Sequence, residues 1–400
     1  MQDREPSARR HRPLFLTAAG LVSALGQGAE ATLDALRTGR SGLRRCDFAG
    51  FDLGYVGQVA GVEAHRLPPG LARFDCRNHR LADLALRSDG FTEAVAAART
   101  RYGAARIAVV VGSSTSGILS SEAAYRARDP AGGALPGWFD YAHTHDMAAL
   151  ARFVRSALAL EGPAFVVSTA CASSARTFAD AAMLITAGLA DAAVVGGADS
   201  LCAMTLRGFA ALELISPVPC RPCAADRAGL SVAEAAGFAL LEPTGEGVAL
   251  LGAGASCDGY HMSAPHPEGA GAAAAMRAAL TAADLDAVAI DYVNLHGTGT
   301  PANDAMEDSA VVAVLGDRVP CSSTKGWTGH ALGAAGVLEA LIAALCIRHG
   351  LRPGCLGLEA PDPALRACIL TSPLAGPVQR VLSNSFGFGG INCTLVLGMA

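Results

Sequence analysis

Short apolar runs alternate along the whole chain with longer stretches whose apolar positions recur at helical spacing. The runs predict strands at 14–17, 107–111, 164–167, 192–195, 237–241, 292–295 and 321–324. A further pair, 380–383 and 394–397, flanks a glycine-rich turn near the C-terminus. The periodic stretches predict helices over 30–37, 81–100, 147–160, 174–187, 271–283, 304–315 and 332–348. Strand and helix in alternation indicate an α/β fold. The nearest approach to a seam is Pro-Thr-Gly-Glu-Gly after Glu242, which divides a first half (14–245) from a second (246–400), behind an N-terminal tail at 1–13. VVSTACASSA before the seam and SSTKGWTGHALGAAG after it share one form: strand, Ser-Thr turn, reactive side chain, alanine-rich helix. That likeness is consistent with two related halves packed together.

Composition narrows the class. Of 400 residues 51% are hydrophobic and 17% charged, so the chain buries a large core, and a net charge of −5 offers nothing to nucleic acid. The twelve cysteines are dispersed; the close pair Cys220 and Cys223 has no second pair or histidine at zinc-ligand spacing, so no metal is expected. Unpaired, scattered thiols suit a reducing cytosol, and a cytoplasmic protein is expected. The basic start followed by LFLTAAGLVSALG imitates a signal peptide, but Thr17 and Ser23 interrupt it and a helix-like segment follows. No run reaches the ~18 apolar residues of a membrane span; the best candidate, 337–347, is short and carries Glu339.

The chemistry concentrates at four places. Cys171 sits among small residues (TACASSA) where a short buried strand should turn into a helix. Unpaired N–H groups at a helix N-terminus favour a thiolate, and ~2 kcal/mol from the dipole would bring a thiol from a pKa of ~8.5 to about 7. Three other strands also deliver polar residues into glycine-rich loops: NLHGTGTP with His296, STKGWTGHALGAAG with Lys325 and His330, and NSFGFGGIN with Phe386 and Phe388. A cysteine at a helix start, two histidines and a lysine together fit nucleophilic chemistry with oxyanion stabilisation.

These four motifs, in this order, resemble those of the β-ketoacyl–acyl carrier protein synthases, the elongating condensing enzymes of fatty-acid and polyketide synthesis. The likeness runs from GLVSALGQGAEATLDALRTGRSGL through CDGYHMSAPHPEGAG to the final strand. It implies a thiolase-like, five-layered αβαβα fold built from two duplicated halves and working as a dimer. Cys171 would take the acyl chain from its carrier protein, while His296 and His330 hydrogen-bond the malonyl thioester carbonyl as carbon dioxide leaves. Lys325, held by Glu339, would structure the site. The amides of Cys171 and Phe388 would form an oxyanion hole, with Phe388 also gating the acyl pocket. No cofactor is implied, since substrates arrive on the phosphopantetheine of the carrier protein. Thr115, Leu230, Thr298, Thr300 and Phe386 are expected to line the substrate pocket.

Two departures bear on specificity. ADRAGLSVAEAAG has Ala228 and Leu230 where the family has a second aspartate and a phenylalanine, and Thr115 replaces a bulkier aliphatic. A roomier, more polar channel suits an unsaturated or aryl-headed chain, as in the ketosynthases of aryl-polyene clusters. Carrier proteins are acidic, so Arg73, Arg77, Arg80 and Arg207 are expected to dock them. The competing readings are a non-catalytic chain-length partner of the same fold, which characteristically loses its nucleophile, and another thiolase-fold enzyme or a Cys–His hydrolase. Retention of Cys171, His296, Lys325 and His330 favours the elongating synthase, as a homodimer or paired with a ketosynthase-like subunit.

Overall fold

A computed structural model describes residues 12–400, so the tail at 1–13, apart from Arg12 and Pro13, lies outside the described residues. Eleven strands form one continuous mixed sheet: β1 (Leu14–Ser23), β2 (Ile107–Gly112), β3 (Ala164–Val167), β4 (Ala192–Asp199), β5 (Ala235–Glu242), β6 (Val248–Cys257), β7 (Tyr292–Asn294), β8 (Pro320–Ser322), β9 (Cys368–Ile369), β10 (Arg380–Gly387) and β11 (Ile391–Met399). A two-residue strand, Gly26–Gln27, pairs with the end of β1 as a twelfth. The order across the sheet is β9-β8-β7-β10-β11-β6-β1-β5-β4-β2-β3.

That order repeats. With the short edge strand β9 set aside, the first half contributes β3-β2-β4-β5-β1 and the second β8-β7-β10-β11-β6, in both cases its third, second, fourth, fifth and first strand. In each block the first three strands are parallel and the last two join antiparallel. β1 and β6 pair antiparallel where the blocks meet, at Leu14 with Leu250 and Phe15 with Ala249.

Helices complete five layers. α1 (Arg77–Leu86), α2 (Phe91–Tyr102) and α3 (Ala149–Ala157) cover the outer face of the first block. α5 (Ala270–Ala283), with α6 (Pro301–Leu315) against it, covers the outer face of the second. Between the blocks α4 (Ser173–Thr186) packs on α7 (Ala335–His349), each following the third strand of its own half. Every residue of α7 from Ala335 to Ile347 is buried, which requires an apolar surface all round. With the turn before it, Leu332–His349 is long and apolar enough to cross a membrane, which corrects the shorter 337–347 segment. It is instead the central core helix, 89% buried, between the two blocks.

Three differences from expectation bear on the architecture around the site. β6 escapes sequence reading because VALLGAGASC is poor in β-branched residues; it is a central strand whose small residues admit α5. A Cβ on Gly254 would lie 2.1 Å from the Ala275 carbonyl oxygen. The helix predicted over 81–100 breaks into α1 and α2 at Asp89 and Gly90, both at positive φ. β3 is a sheet edge, not a buried strand, and leaves Phe165 exposed.

Candidate active site

The position of Cys171 is built by a tight junction. β3 ends at Val167 and α4 begins at Ser173, with Ala170 between them in the left-handed region at φ 49°. This turn presents Cys171 just ahead of the helix, in contact with the cavity but only 7% exposed. The Gly387 turn closes over it: a Cβ there would lie 2.8 Å from the Thr169 carbonyl oxygen and 3.2 Å from the Cys171 nitrogen. Only glycine permits that approach, which brings the Phe388 amide into hydrogen-bonding contact with the sulfur. The expected thiol near pH 7 is corrected here. Burial pushes the Cys171 thiol up to about 11, against the Lys325 charge and the Phe388 amide.

Two imidazoles meet that sulfur. His330 Nε2 lies 3.2 Å from Cys171 Sγ, and the His296 and His330 rings stand edge to face with centroids 5.2 Å apart. His330 is stitched into the first half, donating its amide to the Ser231 carbonyl at 2.7 Å and accepting from the Ala233 amide at 2.8 Å. The Leu332 amide donates to His330 Nδ1 at 3.2 Å, and the Lys325 ammonium faces His296 Nδ1 at 3.3 Å. Each Nδ1 is thus an acceptor, so each neutral ring carries its proton on Nε2. Burial, reinforced by Lys325, holds both rings well below the ordinary histidine range, and they are neutral at physiological pH. Cys171, His296 and His330 offer three potential metal-ligating atoms within 4.8 Å of one another. The tautomers turn N–H groups rather than lone pairs toward the sulfur, which is an arrangement for binding an anion.

Lys325 is completely buried and pairs with Glu339 of α7, while also donating to the His296 carbonyl. Burial pushes Glu339 up to about 7 despite its lysine partner. A second carboxylate holds His296 from the other side. Glu307 of α6 accepts the His296 amide at 2.8 Å, the Gly297 amide at 2.7 Å and Asn384 Nδ2 at 3.0 Å. Its role escaped sequence reading, although Asp304, Glu307 and Asp308 recur at helical spacing on a segment that opens with proline.

A cavity of about 340 Å³ opens onto the triad, lined mainly by apolar groups. Leu230, Thr298, Thr300, Phe386 and Phe388 all face it, and Thr298 and Thr300 hydrogen-bond each other at 2.8 Å. Phe388 is half-buried, with its ring 5.7 Å from that of Phe209, which also lines the cavity. Thr115 does not line it, a correction: its hydroxyl is turned onto the buried carboxylate of Asp199 at 2.9 Å. The basic cluster is corrected as well. Arg77 is buried against Glu234 and Glu63, with contacts of 2.6 to 2.7 Å, and Arg80 is paired with Asp75 at 2.6 Å. Arg73 is exposed but leans on Asp140 and His143. Arg207 is exposed, with no ion pair among the described residues.

Comparison with known proteins gives this geometry a family. The model of the β-ketoacyl synthase N-terminal domain matches residues 11–246, and that of its C-terminal domain matches 248–359. Nodulation protein E of Rhizobium sp. (strain N33) is 34% identical, over 96% of this chain and 98% of that protein. The 3-oxoacyl-[acyl-carrier-protein] synthase 2 of Rhizobium meliloti (strain 1021) is 33% identical over the same shares. Among solved structures, a chain of the ketosynthase (ApeO) in complex with its chain length factor (ApeC) from Xenorhabdus doucetiae is 38% identical, covers 100% of both chains and superposes with a TM-score of 0.89. The chain therefore belongs to the β-ketoacyl synthase family and is an acyltransferase of the ketosynthase kind.

Proposed function

We propose that this chain catalyses decarboxylative Claisen condensation of a malonyl unit with an acyl chain carried on Cys171, both delivered by acyl carrier protein. The observation that carries the reading is the Nε2 atom of a neutral imidazole 3.2 Å from the cysteine sulfur, with a second ring beside it. In the first step Cys171 sulfur attacks the acyl thioester carbonyl, the carrier's C–S bond breaks, and the thiol proton leaves with the carrier thiol. In the second the malonyl thioester oxygen accepts from His296 and His330 Nε2–H. The bond to the carboxylate breaks, carbon dioxide departs, and the electron pair remains as an enolate. Two preorganised donors are worth about 3 kcal/mol each to that oxyanion. The enolate carbon then attacks the acyl-Cys171 carbonyl, whose oxyanion the Cys171 and Phe388 amides hold. The C–S bond breaks, and the sulfur regains a proton from solvent. No resident cofactor enters any step.

The finer reading is a type II polyketide pathway of the aryl-polyene kind, in the cytosol, with a ketosynthase-like partner. It is supported by the likeness to the ApeO–ApeC structure and by the match to the ishigamide ketosynthase/chain length factor, 29% identical with a TM-score of 0.88. Leu230 on the cavity wall, in place of a phenylalanine, points the same way. The exposed edge of β3, with Phe165, is a suitable seat for the partner. Arg207 remains the candidate for carrier-protein docking. The retained Cys171, His296, Lys325 and His330 speak against a non-catalytic chain-length subunit.

Intact-mass analysis tests this reading. The chain, alone and co-expressed with a ketosynthase-like partner, is incubated with saturated, polyenoyl and aryl-enoyl carrier proteins. An adduct on Cys171 that forms fastest from the unsaturated chains and is absent from Cys171→Ala is expected, with a raised KM for carrier protein in Arg207→Glu. Preference for palmitoyl-type chains overturns the pathway, and no adduct from any donor overturns the enzyme.

A further inference from the structure

One buried carboxylate lies beside the triad and takes no part in the chemistry above. Asp199, the last residue of β4, is fully buried and collects donors from two loops on opposite sides of the seam. From the loop after β2, Ser113 Oγ donates at 2.6 Å, the Ser114 amide at 2.9 Å and hydroxyl at 2.5 Å, and the Thr115 amide at 3.0 Å and hydroxyl at 2.9 Å. From the second half, the Gly333 amide donates to Oδ2 at 2.6 Å. Ser114 Oγ stands 3.1 Å from the same amide. Position 333 has to be glycine, because a Cβ there would lie 2.6 Å from Asp199 Oδ2 and 2.8 Å from the Ser114 nitrogen.

Gly333 is three residues beyond His330, and the chain between them is strained. Leu332 is held at φ 53°, a left-handed conformation that a branched, buried side chain disfavours. In that conformation its amide turns back onto His330 Nδ1. We propose that Asp199 is a positioning residue for His330. By anchoring the Gly333 amide it keeps Leu332 in its left-handed turn, so that the Leu332 N–H caps Nδ1 and the ring proton stays on Nε2, facing Cys171. A carboxylate of the first half thereby sets the tautomer of a histidine of the second, across the boundary that duplication left between them. A neutral histidine otherwise exchanges between two tautomers, and only one of them offers a hydrogen to an anion in the cavity. The role in condensation rests on the function proposed above; the tautomer does not.

The test reads both separately. Side-chain nitrogen NMR of the whole enzyme, with His330 assigned through His330→Gln, is expected to show protonated Nε2 and bare Nδ1 in the wild type. In Asp199→Asn the two tautomers become mixed, and malonyl decarboxylation falls at least tenfold in kcat with KM within about twofold. Ser113→Ala removes a hydrogen bond, more deeply buried than that of Ser114, from the oxygen that does not face Gly333. It is expected to lower the melting temperature without moving the His330 signal, while Ser114→Ala, which touches Gly333, moves it partway. If Asp199→Asn fails to fold, the contrast between the two serine variants decides. An unmoved His330 signal in Asp199→Asn, or equal shifts in both serine variants, overturns the proposal. A mixed tautomer with undiminished decarboxylation leaves the positioning role standing and removes His330 as a donor in that step, whereas a wild type that shows the Nε2–H tautomer but decarboxylates no malonyl carrier protein removes the proposed function.

Discussion

The two junctions that lead into the central helices occupy the same place in the duplicated topology and do opposite work. In the first half residues 168–172 carry the chain from β3 to α4, and in that short turn one cysteine is presented to the cavity. In the second half the equivalent passage from β8 to α7 takes residues 323–334, and it folds a short helix, Lys325–Thr328, and a 3-10 turn, Leu332–Ala334, into the gap. The extra length lets it supply a buried cation and a neutral hydrogen-bond donor. The turns after the second strands diverge likewise: Ser113 to Thr115 wrap Asp199, whereas His296 enters the cavity with its backbone wrapped around Glu307. Duplication thus gave two equivalent platforms, and loop length and side-chain chemistry divided the cysteine from the two imidazoles and the lysine between them. Each half offers only part of a site.

The largest test of that division is the buried Lys325–Glu339 pair. Lys325→Ala should leave Glu339 buried without its counter-charge, a change of about 3–5 kcal/mol visible as a lowered denaturation midpoint. It should also uncap His296 Nδ1, cutting condensation by about a hundredfold or more. The apolar pair Lys325→Met with Glu339→Leu should recover most of the stability and none of the activity. Recovery of both would show that the pair is only packing. Next in size is the sulfur itself. With the Cys171 thiol pushed up to about 11 by burial, iodoacetamide alkylation of the free enzyme should keep rising by about tenfold per pH unit past pH 9. A plateau near pH 7 would mean that the helix terminus outweighs burial and that this junction is a pre-activated nucleophile.

The smallest effect is the pH dependence of stability carried by Glu307. Burial raises its folded-state value from 4.5 to about 7, the amides of His296 and Gly297 opposing. A raised carboxyl contributes stability that is complete below about 4.5 and is lost as pH rises through about 7. The depressed values of His296 and His330 act in the other direction, adding stability that is lost as pH falls below their ordinary 6.5. The two contributions oppose each other between these limits. Replacing Glu307 by glutamine isolates the first: the stability gap between wild type and Glu307→Gln should narrow from pH 5 to pH 8. A gap that widens would show that the His296 loop depends on an ionised carboxylate.

Much of the architecture was legible because each signal is local. Apolar runs and helical spacing marked most of the strands and helices, and the small and glycine residues around Cys171, His296, Lys325–His330 and Phe388 marked motifs that the fold brings to one cavity. What failed was also specific. β6 is not legible because its Gly252 and Gly254 serve the approach of α5, and a strand with so little side chain lacks the usual pattern. Asp199 ends an apolar run, AAVVGGAD, as a strand-terminal acid usually would at a surface; nothing nearby in sequence says that it is buried under donors from residues 113–115 and 333. Arg77 and Arg80 looked like a basic patch because their carboxylate partners Glu234, Glu63 and Asp75 are partly distant in sequence or easily counted as free charge.

By itself the sequence determined the alternation of strand and helix, the two-part plan and the motifs that hold the candidate cysteine, histidines and lysine, since these depend on spacing and residue type along a few turns of chain. Only the tertiary structure decided the protonation of the Cys171 thiol, the tautomers of His296 and His330, the turning of the Thr115 hydroxyl onto Asp199 and which arginines stay exposed. Those properties are set by desolvation and by partners brought from far along the chain, and neither exists until the two blocks have closed on α4 and α7.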